Sequence, residues 1–516
     1  MSLLHKVIGI PLLIFFYLFA DLQLSYAHGF GDRYDLPVPL NWYLFGAGTV
    51  VTLSFLFVSV FVRIASEKRR FYSLSLGGSL PFQRMIFKGF VPLVKSISVL
   101  LFLFLILGGF VGSQEPNQNI GPTLVWIILW VGLIIFNSLV FNLWIFLNPW
   151  KNIYRLFYVL FTRSRSAVIQ PGKYNYPKSL RKWPALIFLL MFLWFEIVFP
   201  NSGSPMYISV LAINYSILTF LGMYLFGPIK WLQNGEFFSI TFRLLSKCSL
   251  IVIALSSGEE CGNCVQCTLD QENCFDCEYC FDKSNFSIRR FRFRKFASGL
   301  YDAKPDHLSE TLFVLMLLSS VTFDGFSETP TWANIVSLGI LFIGDLVNYP
   351  VELISTVGLL SSFLIFIAVY FFSCFLVSKA VSTKYGTDDI SKILVYSLIP
   401  IAVGYHIAHY FSFLLIQGQS MIYLISDPLG LGWDLFQTSS YKINIGIVNA
   451  KIAWFVGIFA IVIGHVTSVY ASHYASLIKF SEYLLVVQAQ RVMLIMMVAY
   501  TIAGLWILAQ PIIEIS

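Results

Sequence analysis

The sequence predicts an all-α fold: a polytopic transmembrane helix bundle of about ten spans after a signal peptide, with a small Cys-rich cytoplasmic insertion. Three observations predict it. Of 516 residues, 57% are hydrophobic and only 12% charged, against about 25% charged in a soluble domain. Apolar runs at 94–112, 122–148, 185–199, 206–227, 357–377, 394–416, 452–471 and 489–513 each approach the roughly 20 residues that carry a helix across a bilayer. The net charge of +7 lies in alternate loops, the pattern of membrane topology and not of a nucleic-acid surface. Lipid is the expected partner, and no nucleic acid is.

Residues 1–27 have the parts of a secretory signal: Lys6, the apolar "VIGIPLLIFFYLFA", and Ser25 and Ala27 at −3 and −1. Cleavage would leave His28 first in the mature chain. An uncleaved signal anchor would orient the next helix the same way. Starting outside, a helix over about 43–63 delivers Lys68, Arg69, Arg70, Arg84 and Lys88 to the cytoplasm. The next (about 92–112) returns to "GSQEPNQNIG", which has no Lys or Arg. A third leads to Lys151, Arg155, Arg163, Arg165, Lys173, Lys178, Arg181 and Lys182, and the fourth and fifth enclose the uncharged "PNSGSPM".

By this pattern 28–228 is an N-terminal membrane half of about five helices, 229–308 a cytoplasmic segment, and 309–516 a second half of about five. The apolar piece 331–346 is read as interfacial or re-entrant, because a span there would put Lys379 and Lys384 outside. The expected location is a bacterial cytoplasmic (inner) membrane, multi-pass, with the mature N-terminus exoplasmic.

Six of the eight cysteines fall in "ECGNCVQCTLDQENCFDCEYC": Cys261, Cys264, Cys267, Cys274, Cys277 and Cys280. A cytoplasmic placement argues for metal and against disulfides. Two-residue gaps let neighbouring thiolates converge on one ion. Zinc and an iron–sulfur cluster both fit, although the Cys-Pro of the bacterial ferredoxin pattern is absent. Locally "CGNCVQC", "CFDCEYC" and "FDKSNF" resemble the CXXC zinc finger. That family's distal cysteine pair is missing, so each triplet lacks a fourth ligand, to be supplied by Cys248, an acidic neighbour or a second chain. The basic "RRFRFRK" (289–295) is read as a lipid-headgroup anchor. The insertion, 259–282, suits docking, sensing or electron delivery, with a cytoplasmic protein or a second copy of the chain as partner.

Ionisable residues inside spans are costly and mark function. His406 and His409 share one helix face; His465 and His473 are offset by about 80° on a later helix. Glu196 ends a span, and Asp324, Asp427 and Asp434 lie in outer loops. His409, Glu196, Asp324 and His28 are expected to meet near the exoplasmic face, with His465 deeper. Imidazoles with carboxylates suit a divalent ion such as zinc or copper, giving His28, His406, His409, His465 and His473 as candidate ligands. The alternative is that these histidines hydrogen-bond between helices and lock the bundle. No HExxH, phosphate-binding loop or G-x-S-x-G motif occurs.

Ordered along the chain, "AHGFGDRYDLPVPL", "LWIFLNPWKNIYRLF", "WLQNGEFFSITFRLL", "SVTFDGFSETPTW", "AHYFSFLLIQGQ", "SDPLGLGWDLF" and "IGHVTSVYASHYASL" resemble the bacterial multi-pass membrane proteins named fenitrothion hydrolase. The resemblance marks His28, Asp35, Asp324, His409, Asp427, His465 and His473, and makes the Cys segment an insertion. It implies hydrolysis of a phosphotriester by a metal-bound hydroxide, with His409, His465, Asp324 and Asp427 as catalytic residues. The competing reading is a metal-handling transporter, or a membrane redox or assembly partner using the Cys cluster, although no inverted repeat is visible.

Overall fold

The computed structural model describes residues 39–63, 85–162, 172–255, 268–270, 273–275, 280–281, 289–301, 303, 305–344, 346–381, 385–480 and 482–510. The expected signal, His28, Asp35, Cys261, Cys264, Cys267 and Cys277 lie outside these residues. In chain order the helices are α1 (Leu40–Phe61), α2 (Lys88–Val111), α3 (Ile120–Leu139), α4 (Pro149–Thr162), α5 (Trp183–Ile197), α6 (Pro205–Phe226), α7 (Pro228–Asn234), α8 (Phe237–Leu245), α9 (Leu308–Ser327), α10 (Pro330–Ile343), α11 (Pro350–Val381), α12 (Thr387–Gln417), α13 (Ala450–Lys479) and α14 (Tyr483–Leu508). Nine of them among the described residues (α1, α2, α3, α6, α9, α11, α12, α13 and α14) are long and apolar enough to cross a membrane. The protein is an all-α, multi-pass membrane bundle. The fifteen-residue α5 fills the position of the remaining expected span, at about 22 Å long. The apolar piece near 331–346 forms the fourteen-residue α10, shorter than the ~20 residues of a span.

Helix starts follow local chemistry. Proline opens α5, α6, α7 and α10, where its missing N–H costs nothing. Asn449 caps α13 by accepting from the Ile452 amide at 2.8 Å. The loops that the charge pattern groups together do sit together. Ser113 N donates to Leu429 O and Ile120 N to Pro428 O, Trp126 donates to Ser202 O, and these loops form one end of the bundle. At the other end His473 reaches Val62 O, Tyr385 reaches Lys479 O, and Lys182 pairs with Glu310 while both are nearly fully buried.

Lipid offers helices no hydrophobic reason to associate, so close packing at small residues must do it. The tightest crossing joins α12 to α13. A Cβ on Gly404 would lie 2.5 Å from the Ala460 carbonyl oxygen and 3.4 Å from Gly464 Cα, so the two backbones touch through glycines.

Two parts depart from the sequence expectation. Residues 228–248, expected to leave the bundle, fold back into it as α7 and α8, with Phe237, Ile240, Phe242 and Leu244 almost wholly buried. The one acid on this stretch, Glu236, is satisfied there: it accepts from the Phe238 and Ser239 amides at 2.9 and 2.8 Å and from Tyr215 Oη at 2.6 Å. Beyond it stands a small antiparallel sheet of β1 (Ile251–Leu255), β2 (Thr268–Asp270), β3 (Asn273–Phe275) and β4 (Arg289–Phe293), in the order β2-β3-β1-β4. The basic run 289–295 therefore supplies a strand and not only a surface. Its Arg294 turns inward and donates to Ser249 O at 2.8 Å.

Candidate functional site

Four buried or half-buried ionisable groups, Glu196, Asp324, His406 and His409, come together between α5, α9 and α12. Asp324, one turn before the end of α9, places Oδ2 3.0 Å from His409 Nε2. Tyr410 Oη donates to the same oxygen in a short hydrogen bond. The Asp324 and His409 side chains are each only 18% exposed. His406, one turn earlier on α12, packs its ring 4.7 Å from that of Tyr410. It faces the Val131 backbone, and its Nε2 has no hydrogen-bond partner among the described residues. Glu196 at the end of α5 bonds the Trp130 side chain and sits close enough to Asp324 for the two carboxyls to interact.

Glu196, Asp324, His406 and Tyr410 line one cavity of about 30 Å³. That is room for about two water molecules. Two local features of the sequence build it. Residues Thr123–Gly132 of α3 are wound as a π-helix, a form concentrated at functional sites, and this turn carries Trp130 and Val131. Leu245, at the end of the re-entering α8, closes another wall.

Chemically, the site has one oriented acid–imidazole pair, a phenol on the same carboxylate oxygen, a second carboxyl and a second imidazole with a free lone pair. An imidazole bonded to a carboxylate is held in one orientation and tautomer, able to take or give a proton at a fixed place.

Of the expected meeting, Asp324 contacts His409 and shares a cavity wall with Glu196; His28 is outside the described residues. Other expected residues do not join. Asp427 spends its carboxylate on its own loop, accepting from Leu431 N at 3.0 Å and Gly432 N at 2.7 Å, where Gly430 and Gly432 hold φ of 67° and 86°. Asp434 does the same with Ser439 N. His465 is fully buried, with Nδ1 2.8 Å from the Ile461 carbonyl. His473 has both ring nitrogens engaged, by Gln490 Oε1 at 2.8 Å and Val62 O at 2.6 Å. It ties α13 to the end of α1 and has no lone pair to offer.

At the histidines expected to hold a metal, no group of three His, Cys, Asp or Glu among the described residues converges on a common point, and His28 lies outside those residues. Of the cluster cysteines, Cys280 is described and wholly buried, and Cys274 lies on β3. Cys248, considered as a fourth ligand, is also buried, and burial pushes its thiol up to about 12.

Tyr410, Trp130 and Glu236 were not singled out by sequence. Tyr410 had a usable signal, since it lies one turn from His406 and next to His409. No family model, no curated protein and no solved structure matches the chain.

Proposed function

We propose that this multi-pass membrane protein takes up and transfers protons at a buried centre of Asp324, His409 and Tyr410, as the proton-coupled machinery of a transport protein. The observation that carries the reading is the Asp324–His409 pair, 3.0 Å long, whose Asp324 lines a water-sized cavity with Glu196, His406 and Tyr410. Ionisable groups at such depth are retained for ion or proton handling. Positive-inside bias makes the end that carries Lys151, Arg155, Lys247, Lys379 and Lys479 the cytoplasmic face of the inner membrane. That orientation puts the Cys segment in the cytoplasm and Asp324 nearer the outer face.

The second reading is the phosphotriester hydrolase that the resemblance implies. The same pair supports it, with Asp324 orienting His409 as a general base toward water. A cavity of about 30 Å³ has no room for a phosphotriester, so the substrate would have to reach His409 from its partly exposed side. Zinc or an iron–sulfur cluster in the Cys segment stays part of the proposal as an accessory site.

The test is an imposed pH gradient across proteoliposomes containing an internal pH dye. The wild-type protein is expected to dissipate the gradient and Asp324→Asn to slow it by about a hundredfold, the scale of a positioned proton-transfer group. Equal rates would sink the proton reading. Turnover of a chromogenic phosphotriester by wild type but not by His409→Ala would establish the hydrolase instead.

A further inference from the structure

Below the acid–imidazole centre, buried polar groups continue toward the basic end of the bundle. Tyr405 lies one turn from His409 on the same face of α12, and its ring stacks on Tyr500 of α14 at 5.5 Å. Tyr500 Oη stands 2.5 Å from Thr322 Oγ1 of α9. His465 of α13 lies 5.7 Å from the Tyr500 ring. From His465, α13 continues with Ser468, Ser472 and Ser476, spaced by single turns along one face and each at most 2% exposed. Ser476 is about 16 Å beyond His465 along the helix axis, close to the Lys479 terminus of α13.

Three atoms in this column have no hydrogen-bond partner among the described residues: Tyr405 Oη, His465 Nε2 and Ser468 Oγ. Their side chains are 4%, 0% and 0% exposed. Buried polar atoms in native proteins are nearly always satisfied by protein or by ordered water, and polar side chains inside a bilayer are retained for a purpose. Packing alone would be served by Phe, Leu and Ala at these positions. The neighbourhood is also shaped around the polar atoms. A Cβ on Gly504 would stand 2.0 Å from Tyr405 Oη, so glycine at 504 is what admits the hydroxyl. With Nδ1 of His465 donating to the Ile461 carbonyl, Nε2 presents its lone pair to the column.

We propose that this column is a hydrated proton path joining the Asp324–His409 centre to the basic end of the bundle, with His465 as its relay. It rests on the proton-handling reading above. In each passage His465 Nε2 takes the excess proton of a protonated water on the Tyr405 side, which is left as neutral water. The resulting imidazolium keeps its Nδ1–H on the Ile461 carbonyl, and the Nε2 proton then goes to a water beside Ser468, which becomes the next protonated water. Only N–H and O–H bonds form and break, and nothing is oxidised or reduced. His473 is outside the path, because both its nitrogens are engaged; the route follows Ser472 and Ser476, whose hydroxyls donate to the Val469 and Ser472 carbonyls and keep oxygen lone pairs for water.

Two measurements on the full chain test it. Radiolytic hydroxyl-radical footprinting in lipid nanodiscs labels side chains that touch internal water. Tyr405 and Tyr500 are expected to be oxidised, while Phe242 and Phe313, both fully buried, are not. Labelling of the two tyrosines no greater than that of the two phenylalanines would overturn the hydrated column. In proteoliposomes, His465→Gln is expected to cut proton flux by about a hundredfold, and the milder Tyr405→Phe and Ser468→Ala to lower it while folding normally. Flux at the wild-type rate in all three, with Asp324→Asn still inactive, overturns the path and leaves the proton centre standing. Absence of flux in the wild type overturns the proton-handling reading itself, and the path with it.

Discussion

Removing the Asp324 carboxylate tests how the centre is built before any activity is measured. Its Oδ2 receives two hydrogen bonds from α12, from His409 Nε2 at 3.0 Å and from Tyr410 Oη. Interhelical hydrogen bonds in membrane bundles average about 0.6 kcal/mol and reach about 1.7. A charged acceptor that is only 18% exposed belongs in the upper half of that range. Asp324→Ala should therefore destabilise the bundle by about 1–3 kcal/mol, and Tyr410→Phe alone by about 1 kcal/mol. In the double variant the second change should cost almost nothing further, since the hydroxyl has already lost its acceptor. That gives a coupling of about 0.5–1.5 kcal/mol. The assay is reversible unfolding in mixed micelles, followed by tryptophan fluorescence. A coupling within about 0.3 kcal/mol of zero, the scatter expected of independent sites, would refute a shared acceptor.

The remaining predictions concern the scaffold and the Cys segment. Gly404→Val should cost about 1–3 kcal/mol by overpacking the α12–α13 crossing, whereas Gly46→Ala, with nothing within 4 Å of its Cβ, should be neutral or stabilising; thermal unfolding in detergent separates the two. Glu310→Ala should cost about 3–5 kcal/mol by stranding the buried Lys182 ammonium, seen in the same unfolding assay; Lys182→Met combined with it should recover part of the loss. Elemental analysis of the wild type beside a variant with all six cluster cysteines changed to Ser should find zinc or iron only in the wild type, with proton flux equal in both. Equal metal content would remove the Cys site.

The bundle was legible because its signal is large: runs of about 20 apolar residues have few alternatives in physics. The Asp324–His409 pair was legible for a related reason, since few ionisable residues enter the spans and a buried one needs a partner. What hydropathy hides is polar in composition yet buried in fact. Residues 228–248 carry Lys230, Glu236, Arg243 and Lys247, which lower hydropathy and suggest an exit from the membrane. Local capping of Glu236 and its bond from Tyr215 make burial tolerable, and hydropathy does not register either. The strands β2 and β3 have three residues each, too few for alternation to show. Tyr410 and Trp130 were hidden among 26 tyrosines and 12 tryptophans, and only the fold says which of these meet a carboxylate. His473 illustrates the opposite error. Its residue type suggested a ligand, while its hydrogen bonds make it a structural tie between α13 and α1.

The central claim is that Asp324 exchanges a proton as part of this centre, and infrared difference spectroscopy across a pH change reads that proton most directly. Purified wild-type protein should show a carboxylic-acid carbonyl band that appears as pH falls and is missing in Asp324→Asn. The band should shift in frequency in Tyr410→Phe, because the phenol donates to the titrating oxygen. The same band, unchanged in Asp324→Asn and in Tyr410→Phe, would contradict the account.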